Sequence, residues 1–520
     1  MSGALLPLAV AGPLLASGAA IAAGRHRAVV RALVLGTTAA VLVFSGWLLV
    51  ATSDGSVLTA RLGGWPPGIA IVFAADTFSA LMLAVTSLTT LACLAFAAVA
   101  GDDRHPLYGP LALVLTTGVY GAFLTADLFN LFVLIEVMLV PSYALLTLTG
   151  GRRRVPAGRL YLVYNLLAST VFLGGLAMLY GAAGTVNLGE LAGAAQDSPQ
   201  VALAGAVVLV AMAAKASVVP LHGWLPRTYP EASPAITALF SGLLSKVGLY
   251  VIIRIYSVLY DGDQRFLWVL TAAALVTMVV GVLGAVGEQG MRSVLSFHIV
   301  SQIGYVLLGL ALFTHAGLTA AVFYLVQYIL VKAALLLCAG VVETTYGSGR
   351  LKDVGGLSSR EPLLTAVFVV AALSLAGLPP LSGFVAKFTL IRAAALDGAY
   401  LAVGVATVVS LLTLLSMTKI WSMVFAGPTV LPATAATTTA GSGSGDGGGS
   451  RGGDGGGGGP AGGGRDDGPR ARTVLVLPAA FLALFSVLLG IGAEPLLTWA
   501  DTAGAGLVDP SGWVREVTGR

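Results

Sequence analysis

About fourteen apolar runs divide the chain, and each is long enough to cross a bilayer, which takes roughly 18–20 helical residues. We predict spans at 4–23, 29–50, 70–99, 109–125, 128–149, 160–181, 201–219, 233–260, 267–287, 292–313, 316–343, 362–393, 399–426 and 474–498. Charged residues make up only 10% of the sequence, whereas a soluble domain carries about 25%. Such runs are far too long for barrel strands, and helices satisfy their own backbone in lipid. The sequence therefore predicts an all-α polytopic membrane protein.

Lys and Arg are concentrated in the loops that follow odd-numbered spans, which by the positive-inside rule places both termini outside the cytoplasm. The net charge of +4 accordingly indicates membrane topology and not nucleic-acid binding. The first run lacks the basic segment of a signal peptide, and we predict that it is a retained helix. Cys93 and Cys338 lie inside apolar runs, where packing is a commoner role than a disulfide or a metal site.

One segment differs from the rest in composition. Residues 428–472 begin with Ala and Thr and continue as a run rich in Gly, Ser and Asp. A segment of this kind has nothing to bury, so we predict a disordered cytoplasmic linker between the last two spans.

The most unusual stretch of the sequence is 211–250, which carries Lys215 and Lys246 inside apolar runs. Pro220 and Pro226 interrupt the helix between the two lysines. Cations inside a membrane are costly and usually face a bundle interior or a water-filled path, and interrupted helices often mark a transport site. The alternative is that both lysines lie at helix ends and extend to the surface.

A second interrupted run, LSLAGLPPLSGFVAKF, places Pro379 and Pro380 before Lys387. The two broken helices are the seventh and twelfth spans, five helices apart, which is the pattern of inverted repeats. We predict two inverted five-helix repeats, helices 4–8 and 9–13. The predicted units are 1–100 (helices 1–3), 101–260 (first repeat), 261–427 (second repeat), 428–472 (linker) and 473–520 (last helix and tail).

Glu136 lies in the apolar run LFVLIEVMLVP, and we pair it with a lysine. Burial disfavours the charged form of each group, whereas an opposite charge nearby favours it, so a moving partner or proton would switch the lysine. A buried pair kept only for structure is the alternative, although buried pairs stabilise poorly.

Lys332 stands in the middle of another run, with Tyr324 and Tyr328 eight and four residues before it on the same helix face. Their hydroxyls could support a chain of hydrogen-bonded water, or the rings could simply pack. His298 is a candidate proton relay or a structural histidine, and His222 is more often a cap or interface residue.

The chain resembles the antiporter-like subunits shared by Mrp-type multisubunit cation/proton antiporters and respiratory complex I, and among them the D-type subunits of Mrp. The motifs that carry the resemblance are GAFLTADLFNLFVLIEVMLVPSYALL, KASVVPLHGWLPRTYPEASPAITALFSGLLSKVGLYVIIR, RSVLSFHIVSQIGYVLLGL and AGLPPLSGFVAKF. The resemblance implies fourteen helices, inverted repeats and a central polar axis. It also implies proton-translocating roles for Glu136, Lys215, Lys246, Lys332 and Lys387. Many relatives carry histidines at the positions of Tyr324 and Tyr328.

We therefore expect a subunit of a monovalent cation (Na⁺ or K⁺)/proton antiporter in the bacterial plasma membrane, acting with other Mrp-type subunits. No nucleotide, redox-cofactor, metal or nucleophile motif is present in a plausible context, and no cofactor is expected. One alternative is a proton-pumping subunit of a quinone-linked oxidoreductase of the complex I type. Another is a scaffold that tolerates neutralisation of its buried charges.

Overall fold

The structure, a computed structural model, describes residues 2–65, 70–148, 150–430 and 470–520. Its main helices are α1 (Leu8–Ala23), α2 (Arg27–Ala51), α3 (Thr77–Ala100), α4 (Tyr108–Leu124), α5 (Leu128–Thr147), α6 (Arg154–Ala183), α7 (Pro199–Ala216), α8 (Pro234–Val258), α9 (Leu267–Gly287), α10 (Met291–Leu312), α11 (His315–Tyr346), α12 (Pro362–Ala376), α13 (Ser382–Leu396), α14 (Tyr400–Ile420), α15 (Thr473–Ile491), α16 (Glu494–Val508) and α17 (Ser511–Thr518). Within the described part of the chain, 12 helices are long and apolar enough to cross a membrane. Two further predicted spans, the fourth and the twelfth, coincide with the shorter apolar helices α4 and α12. The all-helical, multi-span fold class is confirmed.

Helices α8, α10 and α11 form the centre of the bundle. Nearly every residue of these three helices is buried, whereas α9 and α14 leave much of their surface exposed. The 32-residue helix α11 contacts α3, α8, α10, α12, α13, α15 and α16. A helix that is apolar on all sides belongs in such an interior, so the few charged residues on these helices are enclosed by protein.

Both predicted helix breaks are present. Helix α7 ends at Ser217, whose φ of 65° is left-handed, and the chain passes through Pro220 before a short helix at Trp224–Thr228. Helix α12 ends at Gly377 with a φ of 89°, a conformation that glycine adopts readily. Helix α13 then begins at Ser382. Each break ends a helix inside the bundle, so the last backbone carbonyl groups need partners other than the next turn of that helix.

The predicted start of the third span, at residue 70, is wrong. Val72–Ala75 forms strand β2, antiparallel to β1 at Leu58–Arg61, and α3 begins only at Thr77. The side chain of Asp76 accepts a hydrogen bond from the Ser79 N–H and caps α3. A short apolar run next to a long one does not reveal whether it is strand or helix, and the pairing with β1 decides the outcome.

The last predicted span, 474–498, is also wrong as one helix. The chain breaks after Ile491, and α16 begins at Glu494 with Pro495 in its first turn. Proline is favoured there because the first helical N–H groups have no partner within the helix.

Both chain ends lie on one face of the bundle. The 3₁₀ turn at Ser2–Leu5 packs on β1, and α17 packs on β1 and β2. Helix α1 contacts α2 and α4, and the Ser17 hydroxyl donates to the Pro110 carbonyl at 3.0 Å, so the first helix is part of the bundle. This arrangement agrees with the predicted topology in placing both termini on the same side.

Two isolated backbone bridges occupy corresponding places in the predicted repeats. Asp127, before α5, pairs with Asn187, after α6, and Gly290, before α10, pairs with Arg350, after α11. The repeats and the unit boundaries stay predictions. The predicted linker at 428–472 falls almost wholly on 431–469, which lie outside the described residues.

Candidate functional site

A serine links the first predicted charge pair. Glu136 lies on α5, Ser169 on α6 and Lys215 in the last turn of α7. The Ser169 hydroxyl donates to the Glu136 carboxylate and accepts from Lys215 Nζ at 2.9 Å. Lys215 is buried and Glu136 half-buried, and their contact runs through the serine and not through a direct salt bridge. One hydroxyl therefore connects the carboxylate to the ammonium.

Lys246, on α8, is completely buried and held by backbone and hydroxyl oxygens. Its Nζ donates to the Ser241 carbonyl, to Ser245 Oγ at 3.1 Å and to Tyr328 Oη at 2.8 Å. The same Nζ lies 4.3 Å from the centre of the Tyr328 ring, close enough for a cation–π contact. Tyr328 on α11 thus contacts the ammonium with both its hydroxyl and its ring.

Lys332 and His298 lie at the centre of the bundle, on α11 and α10. Lys332 Nζ has no hydrogen-bond partner in the described chain, and Lys246 and Lys387 are both close enough for their charges to act on it. His298 Nε2 is 2.6 Å from Ser416 Oγ, whereas its Nδ1 has no partner among the described residues.

Lys387, on α13, points at the end of the broken helix α12. Its Nζ donates to the Ala376 carbonyl and to Ser410 Oγ, each at 2.9 Å. A cation at a helix C-terminus is stabilised by the partial negative charge of the free carbonyl groups. Nζ also lies 5.3 Å from the centre of the Tyr305 ring, which stacks on Tyr324 at 5.2 Å.

Tyr324 extends the contacts of Lys387, because its ring stacks on Tyr305 and its hydroxyl donates to Gln302 Oε1. The Gln302 amide nitrogen has no partner in the part of the chain that the structure describes. Aromatic contacts and hydrogen bonds therefore link Lys387 to α10 and α11 without a direct contact to Lys332.

The predicted residues do not form one continuous hydrogen-bonded chain, because Glu136 and Lys215 share Ser169 whereas Lys246 and Lys387 each have separate partners. Within the described residues no hydrogen bond joins Lys215 to Lys246, although α7 and α8 approach closely beside them. A Cβ on Gly248 would lie only 2.9 Å from the Ala216 nitrogen. All four lysines are buried inside the chain, which conflicts with the alternative that they extend to the surface. His222, by contrast, lies in the α7 break, and its Nδ1 bonds to none of the described residues.

Sequence reasoning missed Ser169 and Ser410, which bind Lys215 and Lys387. Both serines stand in apolar runs, where small hydroxyl residues are common at helix contacts. Only their distance from a charged residue sets them apart, and that distance appears only in the fold.

A bundle of membrane-length helices that buries four lysines beside two broken helices defines a polytopic membrane protein built like a secondary transporter. Residues 125–413 match the family described as NADH:quinone oxidoreductase/Mrp antiporter, TM. The chain is 34% identical over 519 residues to the D-type subunit of the Na(+)/H(+) antiporter of Alkalihalophilus pseudofirmus, covering 99% of this chain and 98% of the relative.

Solved structures agree. A chain in the structure of the Mrp complex from Dietzia sp. is 44% identical, with a TM-score of 0.90 and 99% of both chains covered. A chain of respiratory complex I from Thermus thermophilus shares the fold at 22% identity, with a TM-score of 0.76 over 97% of this chain and 99% of that one. The chain belongs to the family of D-type Mrp antiporter subunits, which share their fold with complex I subunits, and the predicted resemblance is confirmed.

Proposed function

We propose that the chain is the proton-conducting subunit of a multisubunit Na⁺(K⁺)/H⁺ antiporter in the bacterial plasma membrane. The observation that carries the proposal is the Glu136–Ser169–Lys215 link, because its serine connects a half-buried carboxylate to a buried ammonium at the break of α7. The names of the relatives support the exchange reaction.

Protonation of Glu136 removes the negative charge that stabilises the Lys215 ammonium, so the lysine releases its proton more readily. Deprotonation of Glu136 reverses the effect. Lys246, Lys332 and Lys387 continue the path, with Tyr328 bound to Lys246 and with His298 as a candidate relay. Repulsion between neighbouring ammonium groups favours a state in which only some of these lysines carry a proton. A proton that enters the path can then displace one farther along.

Moving one charge against 100 mV requires about 2.3 kcal/mol, which a proton gradient supplies without a cofactor in this chain. A complex I-type subunit would use the same buried line with redox energy from its partners. The higher identity to the Mrp chain, 44% against 22%, favours the antiporter.

The test uses everted membrane vesicles from cells that carry the chain with all its partner subunits. Addition of Na⁺ or K⁺ should dissipate ΔpH, and Glu136→Ala or Lys215→Ala should slow this by at least about tenfold, because each leaves a buried charge without its partner. Glu494→Ala and Lys352→Ala, at exposed positions, are the matched controls and should exchange like the wild type. Wild-type exchange by either test variant in a fully assembled complex would refute the assigned roles.

A further inference from the structure

A fifth buried cation lies on α8, outside the set of buried residues that we propose as the proton path. Arg254 is 4% exposed and lies eight residues after Lys246, about 12 Å farther along the same helix. Its Nη2 forms an ion pair with Asp76 Oδ2 at 2.6 Å. Its Nε and Nη1 have no hydrogen-bond partner in the described chain. Nothing in the proposed proton path uses this pair.

Polar groups continue from Lys246 toward this pair. Tyr250 lies one helical turn from Lys246 and one from Arg254, on the same face of α8. Its hydroxyl accepts from Arg254 Nη2 at 3.3 Å, lies 2.8 Å from Ser79 Oγ and donates to the Phe123 carbonyl at 2.8 Å. The side of α8 between the lysine and the arginine is therefore partly polar.

The pair lies between Lys246 and the face of the bundle that carries both chain ends. Arg254 is one turn from the end of α8, and Asp76 stands at the start of α3, directly after β2. The ring of Trp513, on α17, covers the guanidinium with its centre 5.2 Å from the Arg254 Cζ. Trp513 is itself buried. A proton or cation that passed from this face to Lys246 along α8 would meet the guanidinium first.

We propose that Arg254, held by Asp76, is a charge barrier that closes this end of the buried line to protons and cations. The proposal rests on the proposed proton path along Lys246. A guanidinium stays charged at every physiological pH, so it cannot relay a proton as a lysine can. A fixed positive charge in a narrow path also repels cations, as in other selective pores. Asp76 fixes the position of the guanidinium and lowers the cost of burying it.

The other role for the pair is a clamp that joins α3, α8 and α17. The two roles predict different effects when Arg254 and Asp76 are neutralised one at a time. If the pair is a clamp, loss of either partner weakens the structure alike. If Arg254 is a barrier, its neutralisation opens a leak, whereas neutralisation of Asp76 leaves the positive charge in place and opens none.

The experiment measures the decay of an imposed ΔpH in vesicles that contain the whole complex, in choline medium without Na⁺ or K⁺, so that it does not depend on exchange. Arg254→Gln should accelerate the decay by up to about tenfold, the effect of two unit charges about 12 Å apart at an effective dielectric constant of about 20. Asp76→Asn should let ΔpH decay no faster than in the wild type, because the positive charge stays in place and its opposite charge is lost. Arg265→Gln is the matched control, because this exposed arginine pairs with Asp263 near the same end of α8.

The double variant Arg254→Gln/Asp76→Asn keeps polar side chains at both positions and leaves no unpaired charge, which protects folding. It should leak faster than the wild type but more slowly than Arg254→Gln, because the Asp76 carboxylate that would attract protons is removed as well. Complex assembly is checked by co-purification of the partner subunits. An assembled double variant without a leak, or an equal leak in Asp76→Asn and Arg254→Gln, would overturn the barrier and favour the clamp. Failure of the proposed exchange function would instead appear as absent Na⁺- or K⁺-dependent ΔpH dissipation in the wild type.

Discussion

Ser169 places one hydroxyl between the Glu136 carboxylate and the Lys215 ammonium, and this makes it the most informative single residue to change. Ser169→Ala should slow cation-dependent ΔpH dissipation by about tenfold or more, because a hydrogen bond to a charged group contributes about 1.5–3 kcal/mol. Ser169→Thr keeps a hydroxyl and should retain most of the activity. Thr170→Ala is the control, since Thr170 is exposed and bonds within its own helix. Undiminished exchange in Ser169→Ala would show that the link is not used.

At the same scale, the sequence predicts charged residues better than their partners. Lys246 and Lys332 stand out because ionisable groups are rare in apolar runs. Ser169 does not stand out, because burying a serine side chain in a membrane helix costs little free energy. Arg254 lies near the end of its span, where arginine commonly extends to the surface. Only the fold shows that Asp76 and Trp513 enclose it.

At the scale of helices, the packing of α6 on α7 sets the distance between Ser169 and Lys215. Gly175 faces α7, and a Cβ there would lie 2.8 Å from Val208 Cγ2, whereas the adjacent Gly174 has open space. Gly175→Leu should therefore push the helices apart, at a cost of about 1–3 kcal/mol for overpacking. Gly174→Leu is the matched control and should be tolerated.

Thermal unfolding of the purified complex, followed by fluorescence-detected size exclusion, measures the loss of stability, and vesicle exchange measures the effect on the site. Gly175→Leu should lower both the Tm and the exchange rate. Equal Tm values for the two variants would contradict the assigned α6–α7 contact.

Helix existence follows from long apolar runs, because lipid leaves the backbone little other choice. Helix ends do not follow so simply. Strand β2 extends the apolar run of α3 and is settled by pairing with β1. The two internal breaks could be predicted because proline removes a backbone donor. The break after Ile491 comes shortly before Pro495, which fits the first turn of a new helix. From the sequence alone, such a proline predicts a kink within one helix equally well.

At the scale of the whole molecule, the buried charge along the proposed proton path is mainly positive. Four lysines and one half-buried glutamate line the predicted path. Na⁺ and K⁺ are hard cations that need several oxygen ligands in place of their water, and neighbouring ammonium groups repel them. Protons, by contrast, bind to amines directly. We therefore expect the cation to cross in a partner subunit.

This charge distribution predicts that the chain alone does not exchange. Vesicles that contain only this chain should show no Na⁺- or K⁺-dependent ΔpH dissipation, and coexpression of the partner subunits should restore it. The complete complex with Glu136→Ala serves as the inactive reference, and the amount of chain in each membrane is matched by immunoblot. Exchange by the isolated chain would mean that a cation passes the lysines, and the assignment of the buried line to protons alone would then be wrong. Exchange that is restored only by the partner subunits would agree with proton transfer by amines in this chain and binding of Na⁺ or K⁺ by oxygen ligands in a partner.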